Sequence, residues 1–396
     1  MKRKKIFATT LLASLLFIGC LSVYYFSTPS LEEMVGQMII TGFHGDGMGE
    51  NPEDFAAIQD QIKRGQIGGV ILFDVDVYGL TKDKKMTMAE AKKHIFSSNI
   101  KNVDQVKQLI TQLQQIAPTP LFITIDQEGG NIQRLKPEHG FAPIPSHKQL
   151  GMGTPENTYQ TAYDLGKRLA EIGINVDFAP VVDVDVNPES PAIGAKERSF
   201  SPDPKIVTEH GRAFASGLTA ANVASALKHA PGHGSAKRDS HNGLTDITNT
   251  YQPYELEPYR QLLKNASPYT MVMVAHVFNK NFDSVAPASL SKPTIQMIRD
   301  MGFDGVIVSD DMDMGAITDE YGFETALEMA INAGNDIVTI GNNLNYRPFA
   351  GRDANRAIVK SVRDGKIKKS RIRESYNRIM KMKKHMFNQG RKTPTR

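Results

Sequence analysis

The chain of 396 residues has no tryptophan, one cysteine and few aromatics, 8% in all. A lone thiol, Cys20, excludes an internal disulfide, so the fold must be held by its core. Without tryptophan, any stacking surface for a ligand ring must use Tyr or Phe. A strong charge bias is also missing. The formal net charge is +4, and Lys2, Arg3, Lys4 and Lys5 account for all of it. The remainder is balanced, so nothing in the charge points to nucleic acid as a partner. Apolar residues are plentiful at 40%, enough for one large domain or two small ones.

No acid precedes Cys20, and Ile6–Phe26 runs for 21 residues without a charge behind the four basic residues. That pattern predicts an export signal or an uncleaved anchor, with the basic end retained in the cytoplasm. Leu16-Phe17-Ile18-Gly19-Cys20 resembles a bacterial lipoprotein cleavage site, with Phe17 where Leu is usual. Both alternatives predict an exported protein held at the membrane of the cell envelope. Residues 1–30 supply the signal or anchor and a short linker, and residues 31–396 form one domain.

Within that domain, short apolar runs recur at a wide, regular spacing. Eight are expected as buried strands: Gln37–Thr41, Gly69–Phe73, Leu121–Ile125, Asn175–Ala179, Ala224–Lys228, Met271–His276, Val306–Ser309 and Asp336–Ile340. Runs so short and rich in Val and Ile, flanked by Gly, Pro or Asp, suit parallel strands buried on both faces. Amphipathic segments lie between them. Asn157–Ile172 carries Leu165, Leu169 and Ile172 on one stripe, and Ile206–Ala221 and Thr325–Ala333 behave alike. The alternation predicts an α/β fold, a (β/α)8 TIM-type barrel. Asp74–Asn102 is too long and polar for an ordinary connection and is expected as a decorated loop near the barrel mouth. Asn355–Phe387 is expected as two helices broken at Asp364-Gly365, the second with a basic outer face.

Ionisable residues follow the strands directly: Asp126-Gln127-Glu128, Asp183, Lys228-His229, His276 and Asp310-Asp311. Sites in this barrel form at the C-terminal mouth, so five such strand ends predict a catalytic rim. The richest stretch is KHAPGHGSAKRDSH, residues 228–241. Its histidines invite a metal, but HExxH is absent and so is a His-x-His after the first strand, where His44 stands alone. His233, between two glycines, suggests a structural turn. No Gly-x-Ser-x-Gly elbow is present either, and Gly232-x-Gly234 is too short for a phosphate cradle. Acid–base and carboxylate chemistry remain. Asp310 ends a rigid apolar strand, and its carboxylate can attack a sugar anomeric carbon. His241 titrates near neutrality, with Asp239 two residues away to orient it on a Gly-containing, mobile loop. A turn-stabilising role for Asp239 and His241 is the local alternative.

Taken in order, these stretches resemble glycoside hydrolase family 3, its β-N-acetylglucosaminidase branch, over residues 31–385. The matches are Gly68–Phe73, Asp126-Gln127-Glu128-Gly129-Gly130 with Gln133-Arg134, Asn175–Asp183, Glu197-Arg198-Ser199-Phe200, residues 228–241, Pro287-Ala288-Ser289 and Gly302–Asp311. The resemblance implies a retaining exo-glycosidase acting on terminal N-acetylglucosamine, in cell-wall fragments among other β-linked glycans. It implies Asp310 as nucleophile and His241–Asp239 as the acid/base pair. Asp126, Arg134, Arg198, Lys228 and His229 would bind the sugar. No cofactor or metal is expected, and the chain is expected to act as a monomer. This chain departs from the family pattern at Ala230 and at Ser235-Ala236-Lys237-Arg238, which puts two cations beside the dyad. A β-glucosidase of the same family, a glycan-binding protein with a retired barrel and a metallohydrolase are the rival expectations.

Overall fold

The computed structural model describes residues 29–82, 99–240 and 243–388. The signal or anchor expectation, Cys20 included, falls on residues 1–28 and lies outside the described residues. So does the acid/base candidate His241.

Eight strands close into a barrel in which every neighbour is parallel and consecutive along the chain. They are β1 (Ile39–Thr41), β2 (Gly69–Ile71), β3 (Phe122–Ile125), β4 (Val176–Asp177), β5 (Ala224–Ala230), β6 (Thr270–Val274), β7 (Val306–Asp311) and β8 (Ile337–Ile340). Closure comes from β1, whose Ile39 pairs with Val338 and whose Ile40 pairs with Gly69. Buried Val and Ile fill these strands on both faces, as strands sandwiched between a core and a helical layer require. The (β/α)8 expectation holds.

Strand boundaries move for identifiable reasons. Gln37 belongs to the helix Leu31–Gln37, because Ser30 and Glu33 form a capping box that starts the helix early enough to include it. Asn175 and Asp336 lie just before their strands, where each side chain takes one ladder place while the residue's own N–H still donates to Ile123 O or Ile307 O. Asn175 Oδ1 accepts the Ile123 N–H at 2.9 Å, and Asp336 Oδ2 accepts that of Ile307 at 3.0 Å. The helices Pro155–Ile172, Pro204–Ala220 and Phe323–Ala333 match the expected stripes. In the first, buried Leu165, Leu169 and Ile172 each contribute roughly 1.5–3 kcal/mol by leaving water. The tail forms helices Ala350–Arg363 and Lys369–Asn388 with the break at Asp364-Gly365, where Gly365 takes φ 77°.

The last helix is anchored under the barrel by buried charge. Asp336 is fully buried and takes hydrogen bonds from Arg299, Arg371 and Ser375 at 2.6, 2.7 and 2.8 Å. Lys383, also buried, donates to Gln37 Oε1 at 2.7 Å and Gly68 O at 2.8 Å. Burial pushes its pKa down to about 7. The unfolded lysine titrates near 10.4, so between those values the unfolded chain binds more protons and stability rises with pH. The unfolding free energy of the wild type, measured against Lys383→Met in urea, is expected to gain about 1.4 kcal/mol per unit from pH 7 to 9. Parallel profiles would contradict a depressed Lys383.

Candidate active site

The mouth begins where β3 runs into Asp126. Residues Gln127–Gly129 and Ile132–Gln133 then pair as an antiparallel hairpin. Gln127, 1% exposed, folds the hairpin back: its Oε1 accepts the N–H groups of Arg134 and Leu135, both at 2.9 Å. Arg134 is thereby delivered beside Asp126, with Nη2 3.6 Å from its carboxylate.

Lys228, on β5, lies between two carboxylates, 2.8 Å from Asp126 Oδ1 and 2.6 Å from Glu128 Oε1. Glu128 also takes a bidentate pair from Arg198, Nε to Oε2 at 2.8 Å and Nη2 to Oε1 at 2.7 Å. Burial alone would raise the Glu128 pKa, but Arg198 and Lys228 outweigh it and hold the carboxyl well below its ordinary value. Burial likewise opposes ionisation of Asp126, and Lys228 and Arg134 overcome it, lowering its pKa. One buried and one half-buried anion, Glu128 and Asp126, therefore fix three cations at the cavity wall.

His229 is held from both sides. Its Nδ1 lies 2.7 Å from Asp183 Oδ2, and its Nε2 lies 3.0 Å from Arg198 Nη2. A guanidinium can only donate, so Nε2 must accept and the proton sits on Nδ1. Burial first, and the Arg198 charge second, lower its pKa well below the ordinary value, so the ring is neutral. Asp183 also accepts the backbone N–H groups of His229 and His233, and burial pushes its pKa up to about 6.

Opposite stands the end of β7. Asp310 faces the cavity, with Oδ1 accepting the N–H of Asp311 at 2.8 Å. Behind it, Asp311 accepts from Gly341 N at 2.6 Å and Asp313 N at 3.0 Å. Burial first, and the neighbouring Asp313 charge second, push the Asp311 pKa above its ordinary value. Position 341 has to be glycine, since a Cβ there would lie 2.1 Å from Asp311 Oδ2.

Asp126, Arg134, Arg198, Lys228, His229, Asp239 and Asp310 all line one cavity of about 280 Å³. Phe73, Phe178 and Met273 supply apolar wall between them. Donors, acceptors and a strand-borne carboxylate in one blind pocket suit a polyhydroxylated ligand with one reacting carbon. Glycosyl hydrolase family 3, N-terminal domain, matches residues 30–382. The chain belongs to glycoside hydrolase family 3.

Among its relatives in family 3, beta-hexosaminidase A of Pseudoalteromonas piscicida is 35% identical over 318 residues, 73% of this chain and 52% of that protein. Beta-hexosaminidase LpqI of Mycobacterium tuberculosis is 35% identical over 280 residues, covering 67% and 69% of the two chains. The chain thus spans about half the length of the first relative. A family 3 β-N-acetylglucosaminidase structure from Paenibacillus superposes with TM-score 0.78 at 31% identity, over 91% of this chain and 63% of that one. The β-N-acetylhexosaminidase structure from Beutenbergia cavernae gives 0.76 at 25% identity, over 90% and 99%.

Two of the expected rim groups sit elsewhere. His276 is fully buried and is not part of the cavity wall; its Nε2 donates to the Asp311 carbonyl at 2.8 Å and its Nδ1 meets Ser289 Oγ at 2.6 Å. It braces the β7 terminus. Asp183 is fully buried behind His229. Four ionisable wall residues carry no assigned site role in the sequence: Glu128, Lys196, His233 and Asp311. Glu128 and Asp311 had a local cue, their places at strand ends beside Asp126 and Asp310. The Asp74–Asn102 segment leaves and returns at the mouth, because Asn99 pairs with Phe73 through both backbone and side chain. Its Asp74 carboxylate is 2.5 Å from Lys136 and 3.8 Å from Arg134. Residues 83–98 of that segment lie outside the described residues.

The stretch after His233 is pinned rather than loose. A Cβ at Gly234 would lie 1.7 Å from Val184 O, so the chain passes against the Val184 backbone with no room to spare. Ser235 N donates to Glu255 Oε2 at 3.2 Å, and the Ala236 carbonyl accepts from Asn187 Nδ2 at 3.2 Å. The departure Ser235-Ala236 is therefore buried anchoring, while Lys237 and Arg238 are exposed. The mobility expected of this loop does not extend to residues 234–236.

Proposed function

We propose that this chain is a retaining exo-β-N-acetylglucosaminidase, removing terminal N-acetylglucosamine from β-linked glycans such as cell-wall fragments. One observation carries most weight: Asp310, on a rigid strand end, faces a cavity whose other walls hold Lys228, Arg198, Asp126 and neutral His229. Asp310 attacks the anomeric carbon while His241, partnered by Asp239, gives its proton to the departing glycosidic oxygen. That yields a glycosyl-enzyme ester and an alcohol. The neutral His241 then takes a proton from water, whose oxygen displaces Asp310 and restores both groups. Arg134, Arg198 and Lys228 donate to the sugar hydroxyls, Asp126 accepts from them, and the neutral His229 ring, held by Asp183 and Arg198, lines the sugar site beside them. No metal enters these steps. The relatives named beta-hexosaminidase support the substrate class. Residues 1–30, the signal or anchor and its short linker, are proposed to export the protein and keep it at the envelope membrane.

An aryl β-N-acetylglucosaminide is expected to be hydrolysed with at least roughly a hundredfold higher kcat/KM than the matching β-glucoside, and without loss in chelator. Preference for the glucoside would favour a β-glucosidase. Sugar binding with no turnover of either would mark a retired barrel.

A further inference from the structure

Asp239 and Ser240 return over the cavity and are held there at two points. Lys196 Nζ is 3.0 Å from Asp239 Oδ2, and His233 Nε2 is 3.2 Å from Ser240 Oγ. Lys196 projects from a turn that cannot shift easily. Lys196 N and Arg198 N both donate to Ile193 O, at 3.2 and 3.1 Å, and Glu197 N donates to Gly194 O at 3.0 Å. Glu197 holds φ 56° and accepts from Ser146 Oγ at 3.0 Å. One residue further on, Arg198 is locked bidentately to Glu128. The ammonium is therefore presented from the same rigid frame that sets the sugar-binding wall.

We infer that Lys196 is a positioning residue of the acid/base segment, holding Asp239 by one carboxylate oxygen over the cavity. The inference rests on the proposed activity and on Asp239 as the partner of the proton donor. Lys237 and Arg238, the other cations of the segment, are exposed. Arg134, Arg198 and Lys228 face the same cavity but are committed to the carboxylates of Asp126 and Glu128.

A stabilising ion pair and a positioning contact have different consequences. Lys196 is 39% exposed and Asp239 13%, and an ion pair with one arm in water contributes little to folding. Its loss should hardly move the unfolding midpoint. Proton transfer is far more sensitive, since a misplaced donor loses rate steeply with distance.

The test is kcat/KM for a series of aryl β-N-acetylglucosaminides with leaving groups of rising pKa, in wild type, Lys196→Met, Lys196→Arg and His241→Ala. None of these substrates has an aglycone sugar that Lys196 could bind directly. Lys196→Met is expected to lose roughly tenfold on the poorest leaving groups and much less on dinitrophenyl glycosides, which need no protonation. The slope against leaving-group pKa should steepen toward that of His241→Ala, and Lys196→Arg should restore most of it. Equal losses across the series, or no recovery with arginine, would overturn the role of Lys196 while the proposed activity stands. If wild type hydrolyses none of the series, the activity itself is wrong and the role of Lys196 falls with it.

Discussion

Asp310→Asn is expected to abolish turnover, lowering kcat by at least about a thousandfold while the fold survives. An amide has nearly the shape of the carboxylate but cannot act as an anionic nucleophile, so the substitution removes chemistry and spares packing. The surroundings favour that separation. Asp310 is only half-buried at the end of β7, and its Oδ1 accepts the Asp311 N–H, a bond that an amide oxygen can equally accept. The strand beneath is fixed by the β6 and β8 ladders and by His276. Kinetics on an activated aryl glycoside beside thermal unfolding would read the two effects separately. Near-normal rates in this variant would remove Asp310 from the chemistry.

Glu128→Gln should be costly in both respects. Glu128 is 1% exposed and is shared by Lys228, 2% exposed, and Arg198, 12% exposed. Removing one member of a buried charge network leaves the others uncompensated, at about 3–5 kcal/mol. The carboxyl lies well below its ordinary pKa in the folded chain. It therefore contributes stability that is complete above the unfolded value near 4.3 and lost as pH falls below it. In the variant that acid-sensitive portion should vanish. Because Arg198 and Lys228 line the cavity and are proposed to bind the sugar, kcat/KM should fall by roughly a hundredfold even far below the unfolding temperature. Urea unfolding at neutral and acidic pH, with kinetics on the same samples, checks both. A stable variant of ordinary activity would mean that the clamp does not hold the wall.

The barrel was legible because its signal is local. Short Val- and Ile-rich runs between helical stripes need no partner to be recognised, and Asp126, Lys228, His229 and Asp310 declare themselves by following such runs. Boundaries erred where a side chain competed with the ladder, as at Asn175 and Asp336, or where the Ser30–Glu33 box reached forward to claim Gln37. Longer-range partners were invisible. Glu128 meets Arg198 across 70 residues and Lys196 meets Asp239 across 43, distances that only the closed barrel brings together. His276 was misjudged because sequence cannot tell a strand-end histidine that faces a cavity from one that braces the neighbouring strand.

The central claim is a covalent sugar on Asp310. A 2-deoxy-2-fluoro or similarly slowed glycosyl donor with a good leaving group, followed by proteolysis and mass analysis, would test it directly. The label is expected on the peptide that contains Asp310, and to be absent after Asp310→Asn. A label on any other peptide, or steady turnover with none trapped, would contradict it.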